Sequence, residues 1–451
     1  MLPSEGIGEF GDARRAARGV WLFERIVGFG SLCLRKVGGN RAGEMAAHRF
    51  LDSPQVGASE IIATLSERTG ERCQGQQIIV AQDTTEINFS GRALARRGLG
   101  PAGDGQTPGF FVHAAVAIDA ADEAVVGLMD AAVWTRQAGR VSARRKRALA
   151  QKESQRWLST TQVVAERAAG ASQVIVVGDR ESDIFAVFAR RPSSVELLVR
   201  ASQDRALAGG GRLFACAAAW PELGQDAIKI GSRGPGDKGR VAQVSLRAGT
   251  VRIARPRNGA EGCDPPHVDL TLVEVREEQP PPGVDAVHWR LLTTLPAPDL
   301  AAAQQIARYY RLRWRIEQTF RACKSDGLGL PDLQTHGADR LFKMAALAIG
   351  AAVRTIQLVD GRDGGQRPAS DVAEPAILEA ATAIGPTLEG KTQRQQNPHL
   401  QGSLPWLSWI VARLGGWNCY YKPPGPKTMR AGWDRLAAMT AGFHIAKLVI
   451  H

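Results

Sequence analysis

Cysteine is scarce in this chain and badly spaced for joint work. The six cysteines, Cys33, Cys73, Cys216, Cys263, Cys323 and Cys419, form no CxxC pair. That pattern argues against a zinc ribbon or a disulfide framework and fits a reducing compartment, so a cytoplasmic protein is expected. The eight histidines show no HExxH and no paired spacing, which argues against a histidine-ligated hydrolase. The N-terminal MLPSEGIGEFGDARR carries acids and lacks an apolar stretch, so it does not read as a signal peptide. The longest uncharged apolar run, Met344 to Val353, is too short to span a bilayer, and no membrane partner is expected. Internal repeats and long low-complexity tracts are lacking too.

Positive charge is in surplus. Against 45 Asp and Glu stand 57 Lys and Arg, a net charge of +12, which suits a polyanionic partner. A chain of 451 residues is too long for one small core, so two or three structural units are expected.

The periodicity changes along the chain. Residues 1–70 read as helical, with Val20, Leu22, Phe23 and Ile26 after the basic run that holds Arg14, Arg15 and Arg18, and with Ile61, Ile62 and Leu65 at helical spacing. QQIIVAQDTTEINF (76–89), FFVHAAVAID (110–119) and AVVGLMDAAVWT (124–135) read as three strands of an antiparallel meander. A helix from about Gln151 to Ala169, the short strand SQVIVVGD (172–179) and the strand VELLVRAS (195–202) follow. Residues 201–290, rich in Gly, Pro and Arg, contain short β-like runs (VAQVSLRAG, TVRIARP, VDLTLVEV) and look like a β-rich insertion. HWRLLTTLP (288–296) is a last strand, and a long helix starts near Asp299. After a linker near residue 365 comes a helical region with Trp406, Trp409, Trp417 and Trp433.

Two acids stand where strands end. Asp83 closes Ile78-Ile79-Val80, and Asp179 closes Val174-Ile175-Val176-Val177. Carboxylates leaving neighbouring strands can bridge two hard divalent cations, which suits magnesium and phosphodiester chemistry. Strands also end in Asp for turn reasons alone, so neither acid is diagnostic by itself. The segment Ala307 to Lys324 is sharper. Placed on one helix, Tyr310, Arg313, Glu317, Arg321 and Lys324 share a face: one carboxylate among cations, with a tyrosine beside them. Such a face can complete a metal site and grip phosphates, or it can be a solvated row of ion pairs. Gly98-Leu99-Gly100-Pro101-Ala102-Gly103 satisfies GxGxxG, but it follows a basic stretch rather than a strand, so no dinucleotide site is expected.

Tyr310-x2-Arg313-x3-Glu317-x6-Lys324 resembles the YREK signature of the DDE transposases of insertion-sequence family four. Asp83-Thr84-Thr85, Asp179-Arg180-Glu181-x-Asp183, Ala47-x-Arg49-Phe50 and Ala412-Arg413-Leu414-Gly415-Gly416 extend the resemblance in order over most of the chain. The resemblance implies an α/β fold: an RNase-H-like catalytic core with a β-rich insertion, flanked by N-terminal and C-terminal helical domains. The divisions are 1–70 for DNA-end binding, 71–365 for catalysis with the insertion at about 201–290, and 366–451 for dimerisation. It implies Asp83, Asp179 and Glu317 as catalytic ligands of two Mg²⁺ ions, with Mn²⁺ able to substitute. Tyr310, Arg313 and Lys324 would bind DNA phosphates. Arg321 stands where the resemblance places a lysine, so charge is kept and geometry is not. Trp289 would be the platform for a flipped base, although a strand tryptophan can equally be core.

Arg14, Arg15 and Arg18 resemble an element that binds DNA ends. Arg233, Lys238, Arg240, Arg252, Arg255 and Arg257 in the insertion could follow phosphates. Arg136, Arg140, Arg144, Arg145, Lys146, Arg147 and Lys152 form a basic link where the family resembled carries a more acidic one, and such runs are often only solvated loops. The expected function is cut-and-paste transposition: binding of terminal inverted repeats, cleavage through a hairpin, and joining of 3′-hydroxyl ends to target DNA by a homodimer. The apolar Trp406 to Val411 fits a partner surface or a buried core. The alternatives are a catalytically silent DNA-binding relative, an RNase-H-fold nuclease that cannot join strands, and a basic metabolic enzyme with an α/β core.

Overall fold

The computed structural model describes residues 6–89, 98–103, 107–136, 153–231, 239–257, 264–324 and 328–450. Among the described residues, nine strands are hydrogen-bonded in the order β3-β2-β1-β4-β5-β9-β8-β7-β6. They are β1 (Gln77–Asn88), β2 (Gly109–Asp119), β3 (Val125–Trp134), β4 (Gln173–Gly178), β5 (Val195–Arg200), β6 (Gly224–Ile230), β7 (Arg240–Ala254), β8 (His267–Arg276) and β9 (His288–Thr293). The chain is a mixed α/β protein that divides into two compact units. One comprises residues 1–73, 84–139 and 315–451; the other comprises 74–83 and 140–314.

The first unit is mostly helical. It opens with α1 (Ala13–Phe29), α2 (Leu34–Gly38), α3 (Arg41–Asp52) and α4 (Ala58–Arg72). Helix α1 starts on Asp12, whose side chain accepts from Arg14 N, and stops at Gly30, which takes the left-handed conformation at φ 52°. The hairpin β2–β3 is antiparallel, and α4 and the long α10 (Ala338–Gly361) pack on β3. The run from Met344 to Val353 sits inside this 24-residue α10. By length and hydropathy the helix could cross a membrane, but 89% of its apolar window is buried within the protein. Its charges are paired: Lys343 Nζ donates to the Leu51 and Ser53 carbonyls at 2.9 and 3.0 Å, and Arg354 pairs with Glu24 at 2.8 Å. This is a core helix, stabilised by apolar burial and by satisfied cations.

Helices α11 (Pro375–Leu388), α12 (Leu404–Leu414) and α13 (Pro426–Ile450) follow, with α13 packed on α12 and α1. Trp406 and Trp409 on α12 are 7% and 5% exposed, and Leu407, Ile410 and Val411 are fully buried. The apolar stretch that could have been a partner surface is therefore core. The same face that would attract a partner is consumed by the helices around it.

The second unit carries the parallel strands. Residues 77–81 of β1 pair in parallel with 173–177 of β4, and β4 pairs in parallel with β5. These strands are continuous apolar runs, as expected when both sheet faces are covered. β9, β8, β7 and β6 extend the sheet as an antiparallel meander. Two β-like runs expected on either side of Gly249 prove to be one 15-residue strand, β7. The Trp220 ring lies where a Cβ on Gly249 would be, 2.7 Å from it, so the glycine makes room for a neighbour without breaking the strand. Helices α5 (Gln155–Arg167), α6 (Phe185–Ala189), α7 (Leu213–Ala219) and α8 (Leu300–Leu312) complete the unit; β6 and α7 had no clear sequence signal. The basic link from 140 to 152, and Arg233 and Lys238, lie outside the described residues.

Candidate active site

Asp83 does not end its strand. β1 continues to Asn88, and what ends near Asp83 is the ladder to β4, whose last registered pair is Ala81 and Val177. Sequence reasoning took the end of the apolar run for the end of the strand. Burial changes there, from a buried stretch up to Gln82 to half-buried positions from Asp83 onward. Asp179 directly follows β4 and caps a short 3-10 turn, Arg180–Ser182, its Oδ1 accepting from Glu181 N at 2.8 Å. Both acids stand two residues beyond the last registered pair. They therefore leave adjacent parallel strands, about 4.8 Å apart, at the same level. The carboxyl ends of parallel strands are where open α/β sheets place their ligand sites.

Cationic and aromatic groups stand beside these acids. Arg313 Nη1 lies 3.2 Å from Asp83 Oδ2, and its guanidinium sits 5.9 Å from the Tyr310 ring centroid. Trp289, on β9, meets Tyr310 edge to face at 5.2 Å between centroids. Arg200, at the end of β5, acts electrostatically on the Tyr310 hydroxyl, and its Nη2 donates to the His288 carbonyl at 2.9 Å. Sequence reasoning missed Arg200. Its signal was the arginine that closes VELLVR, much as Asp179 directly follows its own apolar strand.

Burial raises the Tyr310 hydroxyl above its usual range, Arg313 and Arg200 pull it back, and Asp179 pushes it up a little. Burial lowers Arg200, and Tyr310 opposes that. The tyrosine therefore stays neutral, a donor or acceptor between an acid and two cations. This edge concentrates positive charge around two carboxylates, an arrangement suited to a substrate that is anionic and reacts at phosphorus.

The expected single helix from Ala307 to Lys324 is interrupted. Helix α8 stops at Leu312, and α9 spans Trp314–Lys324. Arg313 closes a tighter turn, its N–H donating to the Tyr310 carbonyl at 3.2 Å. Its φ of −51° and ψ of −29° remain right-handed, so side-chain spacing gives no warning of the break. Tyr310 and Arg313 belong with the second unit, and Glu317, Arg321 and Lys324 belong with the first. On α9, Glu317, Arg321 and Lys324 follow at spacings of four and three and so share a face. Arg321 is exposed and Glu317 half-buried. Burial lowers the Lys324 ammonium, and Glu86 partly restores it.

Asp83 and Asp179 suit a hard divalent cation by chemistry and by level, since both offer carboxylate oxygens from neighbouring strands. Among the described residues, no group of three or more His, Cys, Asp or Glu is gathered closely enough to hold a metal ion.

Arg14 and Arg18 line a cavity of about 830 Å³ in the first unit, together with Trp21, Arg25 and the small residues Gly38, Gly39 and Gly43. Arg14, Arg18, Trp21 and Arg25 recur at spacings of four, three and four, a stripe along α1. Trp21 and Arg25 extend the arginines picked from sequence, whereas Arg15 turns aside and donates to the Phe10 carbonyl. In the β6–β9 meander, Arg240 pairs with Glu277, and Arg252 with Asp269 at 2.7 Å.

Compared with known families, residues 136–354 match the model described as "Transposase DDE domain". The match spans just under half of the chain and takes in Asp179, Trp289, Tyr310, Arg313, Glu317, Arg321 and Lys324, while Asp83 lies before it. It supports a DDE transposase, an enzyme acting on DNA.

Proposed function

We propose that this chain is a cut-and-paste DNA transposase of insertion-sequence family four, with Asp83, Asp179 and Glu317 as its catalytic acids. The observation that carries the reading is the placement of Asp83 and Asp179 at one level on adjacent parallel strands, against Arg313, Tyr310 and Arg200. The chain order β1, β2, β3, α5, β4, α6, β5 supports an RNase-H-like core, with the later strands as its β-rich insertion. In functional terms the division is 1–70 for end binding, 71–365 for catalysis and 366–451 for pairing two copies.

The three acids would hold two divalent cations, Mg²⁺ or in its place Mn²⁺, which when bound supply Lewis-acid activation and neutralise charge on the leaving oxygen. The chain's own residues do the rest. Arg313, Arg321 and Lys324 hold phosphates, with arginine able to grip two oxygens at once. Tyr310 keeps Arg200 and Arg313 aimed at one place. Trp289 offers an indole face to a base taken out of the stack. The stripe Arg14, Arg18, Trp21 and Arg25 contacts the terminal inverted repeat. The reaction sequence is hydrolysis that frees a 3′-hydroxyl, attack of that hydroxyl on the opposite strand to form a hairpin, reopening, and attack of the 3′-hydroxyl on target DNA. Each step is a phosphoryl transfer, which depends on positioning and charge.

The test uses the purified full-length chain, a DNA duplex ending in the repeat that flanks its gene, and Mg²⁺. Nicking, hairpin formation and joined product are expected, with two protein copies per paired complex by light scattering. Nicking without joining would reduce the protein to a nuclease, and binding without nicking would make it a silent relative.

A further inference from the structure

Asp183 is a heavily hydrogen-bonded acid of the second unit, and nothing in the proposed reaction uses it. Its side chain is fully buried. Oδ2 accepts from Ser202 N at 2.8 Å, Gln203 N at 3.1 Å and Ser202 Oγ at 3.2 Å. Oδ1 accepts from Arg205 Nε at 2.8 Å and Nη2 at 2.6 Å, and Arg205 Nη2 also donates to the Asp183 carbonyl. Arg205 is itself 8% exposed. Five donors therefore converge on one carboxylate.

The two segments joined here each carry a residue of the candidate site. Asp183 closes the turn that begins at Asp179, and within that turn buried Ser182 donates its hydroxyl to the Asp179 carbonyl at 2.7 Å. Ser202 and Gln203 begin the loop that leaves β5 two residues after Arg200. Arg200 and Asp179 both act electrostatically on the Tyr310 hydroxyl, in opposite directions. A loose turn would let Asp179 drift from the level of Asp83, and a loose loop would let Arg200 drift from Tyr310. One buried charge restrains both.

A buried ion pair is a poor way to gain stability, because desolvation offsets the attraction, but it can hold one geometry against others. We propose that Asp183, held by Arg205, is a positioning residue: it ties the turn bearing Asp179 to the loop after Arg200 and so keeps the acid and the arginine of the site in register. An asparagine cannot replace it. Its one oxygen serves either Arg205 or the backbone donors, and its amide faces donors on the other side.

This inference rests on the functional reading above, and the test separates the two. Asp183→Asn and the milder Arg205→Lys are prepared as full-length proteins, since a lysine keeps the charge but cannot reach Asp183 through two nitrogens. Thermal unfolding, Mn²⁺ affinity without DNA, amide exchange of residues 179–183 and 200–205, and DNA cleavage are measured. In whichever variant stays folded, Mn²⁺ affinity is expected to fall by about tenfold, the range for residues that orient metal ligands. Faster exchange should be confined to the two segments, and the cleavage rate should fall while DNA binding holds within about twofold. Wild-type Mn²⁺ affinity, exchange and cleavage in a folded variant would overturn the positioning role and leave the transposase reading standing. A wild-type protein that takes up no Mn²⁺ and cuts no DNA would overturn both.

Discussion

Replacing Asp83 with asparagine should separate cutting from binding, and in an informative direction. Asp83 and Arg313 are 3.2 Å apart, and their side chains are 16% and 14% exposed. At an effective dielectric of about 20, their gross attraction is roughly 5 kcal/mol. Desolvation and the cost of ordering two side chains leave a net of about 1–2 kcal/mol. Asparagine keeps the shape and removes the charge, so a phosphate meets less competition from position 83 for Arg313. DNA affinity should rise by up to about tenfold at low salt, and the slope of log affinity against log salt should steepen by about 0.9. Cleavage should fall by roughly a thousandfold, about 4 kcal/mol of barrier, because a metal-ligating carboxylate is lost. Gel-shift titrations at several salt concentrations and a Mg²⁺-dependent nicking assay read both effects. Nicking at the wild-type rate would refute the catalytic assignment. Weaker DNA binding would refute the view that Asp83 competes with phosphate for Arg313.

Three further outcomes are expected. Tyr310→Phe removes the buried hydroxyl on which Arg313 and Arg200 act while sparing the ring that meets Trp289, so calorimetry should show a loss of about 1 kcal/mol and gel shifts weaker DNA binding. A Cβ on Gly178 would lie 2.2 Å from Ser182 Oγ, so Gly178→Ala should cost about 1–3 kcal/mol in thermal unfolding and lower cleavage beyond that loss by displacing Asp179. Burial pushes Asp360 up to about 6 from 3.8, although Arg315 at 2.8 Å opposes it. With the folded value raised, the stabilising contribution is fully present below pH 3.8 and lost as pH rises through about 6, a change of about 3 kcal/mol that urea unfolding across this range should show and Asp360→Asn should abolish.

Composition, hydrophobic runs and motif spacing marked out an α/β chain with helical ends, a surplus of positive charge, and Asp83, Asp179 and Glu317 with Trp289, Tyr310, Arg313, Arg321 and Lys324 as residues to watch. Those features are local: an apolar run reads as a buried strand, and charged residues at spacings of three and four read as a helical face. Four things were not local. The break at Arg313 keeps right-handed backbone angles, so no pattern of side chains could show it. The extension of β1 past Asp83 depends on pairing lost on one side, and the unbroken β7 depends on Trp220 filling the space over Gly249. The tie between Asp183 and the Ser202–Arg205 loop joins residues about twenty positions apart. The sequence by itself therefore determined which chemical groups this protein has and which elements carry them. Only the tertiary structure decided which groups meet, because register and burial arise from contacts between segments that carry no record of one another.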